Sequence, residues 1–255
     1  MPVTINGTTG ISNDGGYTGD GVVFADATPA NTLVTTTGGN VGIGTSSPAY
    51  PLDIVGAQIR QSSSSALGTR MTFVSTSTNG RSYQIGSNFS VGAGEFAVYD
   101  LTAAANRLVI DSSGRVLAPF QPAFFAGLSA TFAHPSGVAK IAGTFTATVN
   151  IGSGFNTSTQ RFTAPVSGTY YLSACVGTNS GGGTFSYLSS EVWVNGSRRI
   201  IGGWDGGGSA YGKTSTSGVV YLNASDYVEL YCEASKAFTV EGNSSSTFLS
   251  GHLVG

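Results

Sequence analysis

Gly207-Gly208-Ser209-Ala210-Tyr211-Gly212-Lys213-Thr214 carries the spacing of a phosphate-binding loop, with four positions between Gly207 and the Gly212-Lys213-Thr214 trio. That chemistry needs a strand before the loop and a helix after it, so that helix-terminal amides converge on the phosphates. The residues that follow, Ser-Thr-Ser-Gly-Val-Val-Tyr-Leu, read as a strand. Nucleotide binding is therefore not expected. Nucleophilic catalysis by Ser or Cys needs a neighbouring base, most often His. The chain has two histidines, His134 before Pro135 and His252 among apolar residues near the end. Both read as packing or solvated polar side chains. Neither Cys-x-x-Cys nor His-x-His spacing occurs, so no zinc site is expected. Sugar hydrolysis needs two carboxyl groups facing each other across a groove. Glu191, Asp205, Asp226, Glu229, Glu233 and Glu241 are available, but Asp226 and Glu229 read as turn and outer-face residues of a strand. No catalytic residue, metal or cofactor is assigned, and the chain is not expected to be an enzyme.

Binding chemistry is better supported. Residues 202–211 form a long glycine-rich stretch that holds Trp204, Asp205 and Tyr211. Aromatic faces suit the apolar faces of sugar rings, and a nearby carboxylate accepts hydroxyl hydrogen bonds. Trp204, Asp205 and Tyr211 are the candidate ligand-binding set. The structural alternative is that Trp204 folds back onto its own domain or onto a neighbouring subunit. The Gly-rich residues 178–183 are a second candidate loop.

Such loops need a rigid frame, and the composition indicates strands. Charged residues make up 9% of the chain, against about 25% in typical soluble domains. Glycine is abundant at 38 residues, while hydrophobic residues still reach 40%, which favours folding over disorder. The net charge of −2 argues against a phosphate-backbone partner, which needs clustered Lys and Arg, so no nucleic acid is expected. No apolar run is long enough to span a membrane: Pro119, Pro122, His134 and Pro135 break residues 116–139. The start, MPVTINGTTG, has neither the basic residues nor the apolar stretch of a secretory leader. Cys175 and Cys232 are too few for a disulfide framework; assembly in a reducing cytoplasm would favour buried free thiols over a bridge between them. A surface this poor in charge suits an obligate oligomer.

Period-two alternation dominates, as in Phe145-Thr146-Ala147-Thr148-Val149, Glu191-Val192-Trp193-Val194 and Tyr227-Val228-Glu229-Leu230-Tyr231. Turn signals separate these runs, among them Asn79-Gly80, Ser113-Gly114, Asn195-Gly196 and Glu241-Gly242. An all-β chain follows. Leu101-Thr102-Ala103-Ala104-Ala105 could be helical but is too short to stand alone. A repeat aligns residues 31–41 with 106–116 at an offset of 75: Asn31, Leu33, Val34, Gly39 and Val41 match Asn106, Leu108, Val109, Gly114 and Val116. Each copy is too small to bury a core alone. The expected division is a leader at 1–32, a slender β-rich repeat region at 33–118, and a globular domain at 119–255.

The globular part carries Phe155-Asn156, Phe162-Thr163-Ala164-Pro165, Gly168 and Tyr170-Tyr171 in one run, then Val192-Trp193-Val194-Asn195-Gly196, and closes on Phe248-Leu249-Ser250-Gly251-His252-Leu253. With Ala123-Phe124-Phe125-Ala126 as a first strand and Leu222, Asp226, Val228 and Leu230 in a late one, this pattern resembles the head of complement component 1q, a member of the tumour-necrosis-factor-like trimeric jelly rolls. Ser225 stands where that family prefers Gly, and His252 where it prefers an aromatic ring. Independently of the family, Phe162, Tyr170 and Leu172 alternate onto one face as core residues, Gly168 fits a tight turn, and Pro165 fits a strand end.

NVGIGTSSPAYPLDIVG at 40–56, RLVIDSSGRV at 107–116 and VTINGTTGIS at 3–12 resemble the shaft repeats and the start of bacteriophage tail fibres. The resemblance implies a homotrimer with a slender β shaft and a C-terminal jelly-roll head. Its N-terminus would meet a tail, baseplate or capsid protein, and its head a host cell-surface polysaccharide or other receptor. The implied location is the virion, after assembly in the host cytoplasm. The Asn-x-Ser/Thr triplets at Asn6, Asn88, Asn156, Asn195, Asn223 and Asn243 would then stay unmodified. A capsid-decorating fibre and a polysaccharide-degrading tailspike are the rival readings.

Overall fold

A computed structural model describes residues 4–6, 10–12, 34–35, 40–45, 47–56, 59–62, 68–88, 94–178, 184–203 and 212–255. Every regular element among them is a strand. The chain divides into two compact units, Met1–Ser63 and Ser64–Gly255.

In the first unit, β1 (Thr4–Asn6) pairs with β2 (Gly10–Ser12), and β3 (Val34–Thr35) pairs antiparallel with β4 (Val41–Ile43), which pairs parallel with β5 (Leu52–Ile54). Gly44 makes the step from β4 possible. Its φ is +75°, and a Cβ there would lie 2.2 Å from the Val55 carbonyl oxygen.

The second unit begins with an antiparallel meander of β6 (Arg70–Phe73), β7 (Tyr83–Ser87), β8 (Phe96–Asp100), β9 (Ala105–Ile110) and β10 (Val116–Leu117). Leu101, Thr102, Ala103 and Ala104 form the turn between β8 and β9 rather than a helix, with Ala104 at φ 51°, and Ala105 opens β9. Asp100 is fully buried and holds this sheet. It accepts hydrogen bonds from Arg107 at 2.8 and 3.1 Å and from the Ala103 N–H at 3.0 Å, and it pairs with Arg81. Met71, Ile85, Val98 and Leu108 stand in register across one face, and Met71, Phe73, Phe96 and Val116 are exposed. The β9–β10 hairpin pairs Val109 with Leu117 and Ile110 with Val116. The β3–β4 hairpin pairs Val34 with Gly42 and Thr35 with Val41, so the sequence repeat has the same register in both copies.

The rest of the unit is a two-sheet sandwich. It is built from β11 (Ala123–Leu128), β12 (Phe132–His134), β13 (Gly137–Lys140), β14 (Phe145–Ile151), β15 (Phe155–Asn156), β16 (Arg161–Thr163), β17 (Gly168–Gly177), β18 (Leu188–Val194), β19 (Ser197–Gly202), β20 (Lys213–Leu222), β21 (Tyr227–Ala234), β22 (Phe238–Val240) and β23 (Phe248–Leu253). The first sheet has the order β14-β11-β23-β17-β20 and the second β15-β16-β21-β18-β19, with β13 also on β21. Neighbours in both sheets are antiparallel and mostly far apart in sequence, as in a jelly roll.

Alternation puts Phe124, Leu128, Tyr170, Leu172, Leu222 and Leu249 of the first sheet against Phe162, Leu188, Val192, Val228 and Leu230 of the second. Phe124 and Phe162 stack at 4.2 Å, and the Tyr170 hydroxyl donates to the Val166 carbonyl at 2.9 Å. Each such buried side chain contributes about 1.5–3 kcal/mol. Gly168 serves a different purpose from the tight turn expected of it. It opens β17, and a Cβ would meet Leu253 Cδ1 at 2.6 Å, so what the site needs is space. Around it the ends of the domain are laced together: the Leu253 N–H donates to Pro122, Gln121 Nε2 to the Leu253 carbonyl, and the Thr169 N–H to Gly255.

Candidate functional site

The outer surface of the first sheet is the most distinctive face of the sandwich. Strand alternation that buries Tyr170, Leu172 and Leu222 must turn Tyr171, Val219 and Tyr221 outward. Register then aligns Ile151, Ala123, His252, Tyr171 and Val219 in one row, and Val149, Phe125, Ser250, Ser173 and Ser217 in the next. Phe125 stacks on Phe248 at 5.1 Å, and the His252 ring lies 5.6 Å from Tyr171. Val219 and Tyr221 are 62% and 63% exposed. Neither row contains a charged side chain. Cys175 follows on the same face between Phe248 and Ser215, with burial pushing its thiol up.

The outer surface of the second sheet is built on the opposite principle. Glu191 is fully buried, yet every oxygen has a partner: Ser189 Oγ at 3.0 Å on one, Trp193 Nε1 at 2.7 Å and Arg198 Nε at 2.9 Å on the other. Arg198 also reaches Glu233 at 3.0 Å, and Trp193 stacks on Tyr231 at 4.2 Å. Glu229 does face outward, as alternation requires, but Lys140 at 2.6 Å and Arg161 at 2.8 Å cover it. Burial pushes its carboxyl up, and the hydrogen bonds and charges of those two cations outweigh that and hold it below its ordinary value. Glu191 and Glu229 are thus committed to cations and are not poised as an acid–base pair. Asp226 is a turn residue, with Asn195 Nδ2 at 2.7 Å and the Asn223 N–H at 2.8 Å holding its carboxyl down. Sequence reasoning missed this ion network, although Glu191/Trp193 and Glu229/Tyr231/Glu233 alternate visibly onto one face.

Trp204, Asp205 and Tyr211 lie outside the described residues, as do residues 179–183. Their flanking residues are well defined and adjoining. The Thr178 N–H donates to the Gly212 carbonyl at 2.9 Å, and the Gly212 N–H donates to Thr178 Oγ1 at 2.8 Å. Gly203, at φ +73°, sits so close to Thr214 that a Cβ would overlap its side chain. Both glycine-rich loops therefore spring from one end of the sandwich. Strand β20 begins at Lys213, so no helix follows the phosphate-loop-like motif.

The two histidines do different things. His134 is buried, its ring nitrogens facing the carbonyls of Pro135 at 2.6 Å and Ala139 at 3.1 Å, while His252 is exposed on the first sheet. Both cysteines are free and buried, and burial pushes the Cys232 thiol far up. Among the described residues no three His, Cys, Asp or Glu side chains gather as a metal site would require.

Residues 123–254, about half of the chain, match the C1q domain. The chain belongs to the C1q-domain family. C1q domains typically trimerise and bind ligands, and are generally not enzymes. Similar solved structures include murine APRIL, at 16% identity over 52% of this chain and 99% of that one with a TM-score of 0.40. The globular domain of zebrafish complement 1qA is 17% identical over 53% and 98%, with a TM-score of 0.38. Eiger TNF from S. frugiperda is 9% identical over 53% and 93%, with a TM-score of 0.41. No curated protein matches the chain. The C1q domain starts at the first strand of the sandwich, β11, and ends just past its last, β23.

Proposed function

We propose that this chain is a homotrimeric bacteriophage fibre protein whose C1q head, residues 119–255, adheres to a glycan or other receptor on the host surface. The observation that carries the assembly is the uncharged outer face of the first sheet. Val149, Phe125, Tyr171, Val219 and Tyr221 form an apolar surface that a lone chain leaves in water. Three copies around a threefold axis cover it, and closed symmetry keeps the assembly finite. The meander from β6 to β10 shows the same need, a single sheet with Met71, Phe73, Phe96 and Val116 exposed. This supports reading residues 33–118 as a trimeric shaft; in the same reading residues 1–32 are a virion-attachment leader and the particle is assembled in the host cytoplasm.

Adhesion follows from the position of the loops. Strand β17 begins at Gly168 beside Pro122 and Leu253 and ends at Gly177, next to the mouths of both glycine-rich loops. Trp204, Asp205 and Tyr211 thus belong to a segment anchored at the end remote from the shaft. Three such ends per fibre raise weak contacts by effective concentration. The Glu191 and Glu229 networks favour adhesion over sugar hydrolysis.

Light scattering on the full chain at two concentrations tests the assembly. The expected mass is three times 25.8 kDa, unchanged on dilution. A stable monomer would overturn the trimeric fibre. Retention of intact host glycan by the trimer, lost in a Trp204→Ala variant, is the expected result for the loop. Cleavage of that glycan would establish the tailspike instead.

A further inference from the structure

A groove of about 350 Å³ opens at the same end of the head, between β11, β14 and the segment before β23. Two glycines shape it. A Cβ on Gly127 would lie 2.3 Å from Ser244 Cβ, and one on Gly242 would lie 2.1 Å from the Ala130 carbonyl carbon. Only bare backbone lets residues 242–244 lie this close over β11. Thr146 and Thr148, two positions apart on β14, both turn outward and line one wall; a register shift between Phe125 and Ala126 leaves Thr148 as the extra residue, so that Val149 faces outward as well.

The chemistry of the groove is narrow. Its lining has no charged side chain, so an anion or cation would find no counter-charge. Among the described residues the hydroxyls of Thr146, Thr148 and Ser244 have no hydrogen-bond partner. Asn243 Oδ1 accepts from the Ser245 N–H and hydroxyl, both at 2.9 Å, which leaves its NH₂ group to donate outward. The floor is the backbone of Gly127 and Leu128, the Leu128 side chain facing the core. Uncharged donors and acceptors along a backbone floor suit a neutral ligand with several hydroxyls.

We infer that this groove is a binding site for one residue of a neutral saccharide, held by Thr146, Thr148, Asn243 and Ser244. The inference rests on the adhesive reading of the head and gives it a second location, apart from Trp204. The volume is at the lower end of those that hold small ligands. It lies on the outer face of the first sheet, one row beyond Phe125 and Val149 toward the loop mouths, at the margin of the surface that three copies would cover.

The test uses the full-length protein on immobilised neutral glycans ending in glucose, galactose, mannose or N-acetylglucosamine, with sialylated glycans as a charged comparison. The variants are Thr146→Val/Thr148→Val, which keeps shape and β propensity, and Ser244→Ala, each checked for unchanged mass by light scattering. Wild type should bind at least one neutral glycan. The double variant should weaken that binding by roughly five- to hundredfold, the loss of two uncharged hydrogen bonds. Ser244→Ala should weaken it by roughly two- to tenfold. Binding that survives all substitutions but disappears in Trp204→Ala would overturn the groove while leaving adhesion intact. Retention only on sialylated glycans would overturn the neutral class. No retention on any glycan would overturn the glycan reading, and the groove with it.

Discussion

Replacing Val219 by Glu separates a solvent face from a buried one. In a lone chain Val219 is 62% exposed and points away from the core. A carboxylate there would stay in water, and the change would cost under about 1 kcal/mol, mostly lost β propensity. In a trimer closed over this face the same substitution buries three carboxylates among Tyr171, Ser217 and Tyr221, with no cation in the row to receive them. Each buried ion costs several kcal/mol after relaxation, so three cost on the order of 10 kcal/mol. At 1.4 kcal/mol per power of ten, the association constant falls by roughly seven powers of ten. Light scattering would then read a 25.8 kDa chain that retains its far-ultraviolet β signal. Val138→Lys is the control. Val138 is 42% exposed on the second sheet, and Glu233 opposite it can receive the ammonium, so the trimer should persist. A Val219→Glu protein with unchanged mass and melting temperature would refute the placement of the interface.

Phe162→Ala should cost about 3–5 kcal/mol, because Phe162 is fully buried and stacked on Phe124; the urea midpoint reads it. Glu229 and Asp100 are both held below their ordinary values by cations that outweigh the upward push of burial. Their stabilisation is present above the unfolded carboxylate range and is lost as pH falls below about 4. Melting temperature should therefore drop as pH falls through and below about 4, and Glu229→Gln should flatten the slope. A disulfide reagent at neutral pH should leave Cys175 and Cys232 unmodified in the native protein and label both in urea, since each is buried and its thiol is pushed up. Rapid native labelling would show that the face carrying Cys175 opens.

The strands of the head were legible because their alternation is strict. Phe162, Tyr170 and Leu172 announce a buried face, and all three are fully buried. The register shared by the β3–β4 and β9–β10 hairpins was visible as an ungapped repeat. The ion networks were not legible. Glu229 finds Lys140 across 89 residues and Arg161 across 68, and one sequence does not encode which strands become neighbours. Gly168 was misread because a glycine looks alike in sequence whether it serves torsion or clearance. The groove depends on the close approach of residues 242–244 to β11, more than a hundred residues away in sequence, which composition does not reveal. Trp204, Asp205 and Tyr211 were singled out by type alone, and the structure defines only their flanks.

The lacing of Pro122, Gln121, Thr169, Leu253 and Gly255 at one end of the head has a mechanical consequence. Strands β11 and β17 run from that end toward the loop mouths and β23 runs back to it, and the ten residues of β17 span about 33 Å at 3.3 Å each. A pull on the loop mouths against Pro122, where the chain enters the sandwich, is directed along these strands. It stretches the ladders between them in shear, with many hydrogen bonds strained at once, instead of peeling them apart one by one. A head tethered at this end resists unfolding under tension better than one whose strands would be peeled apart.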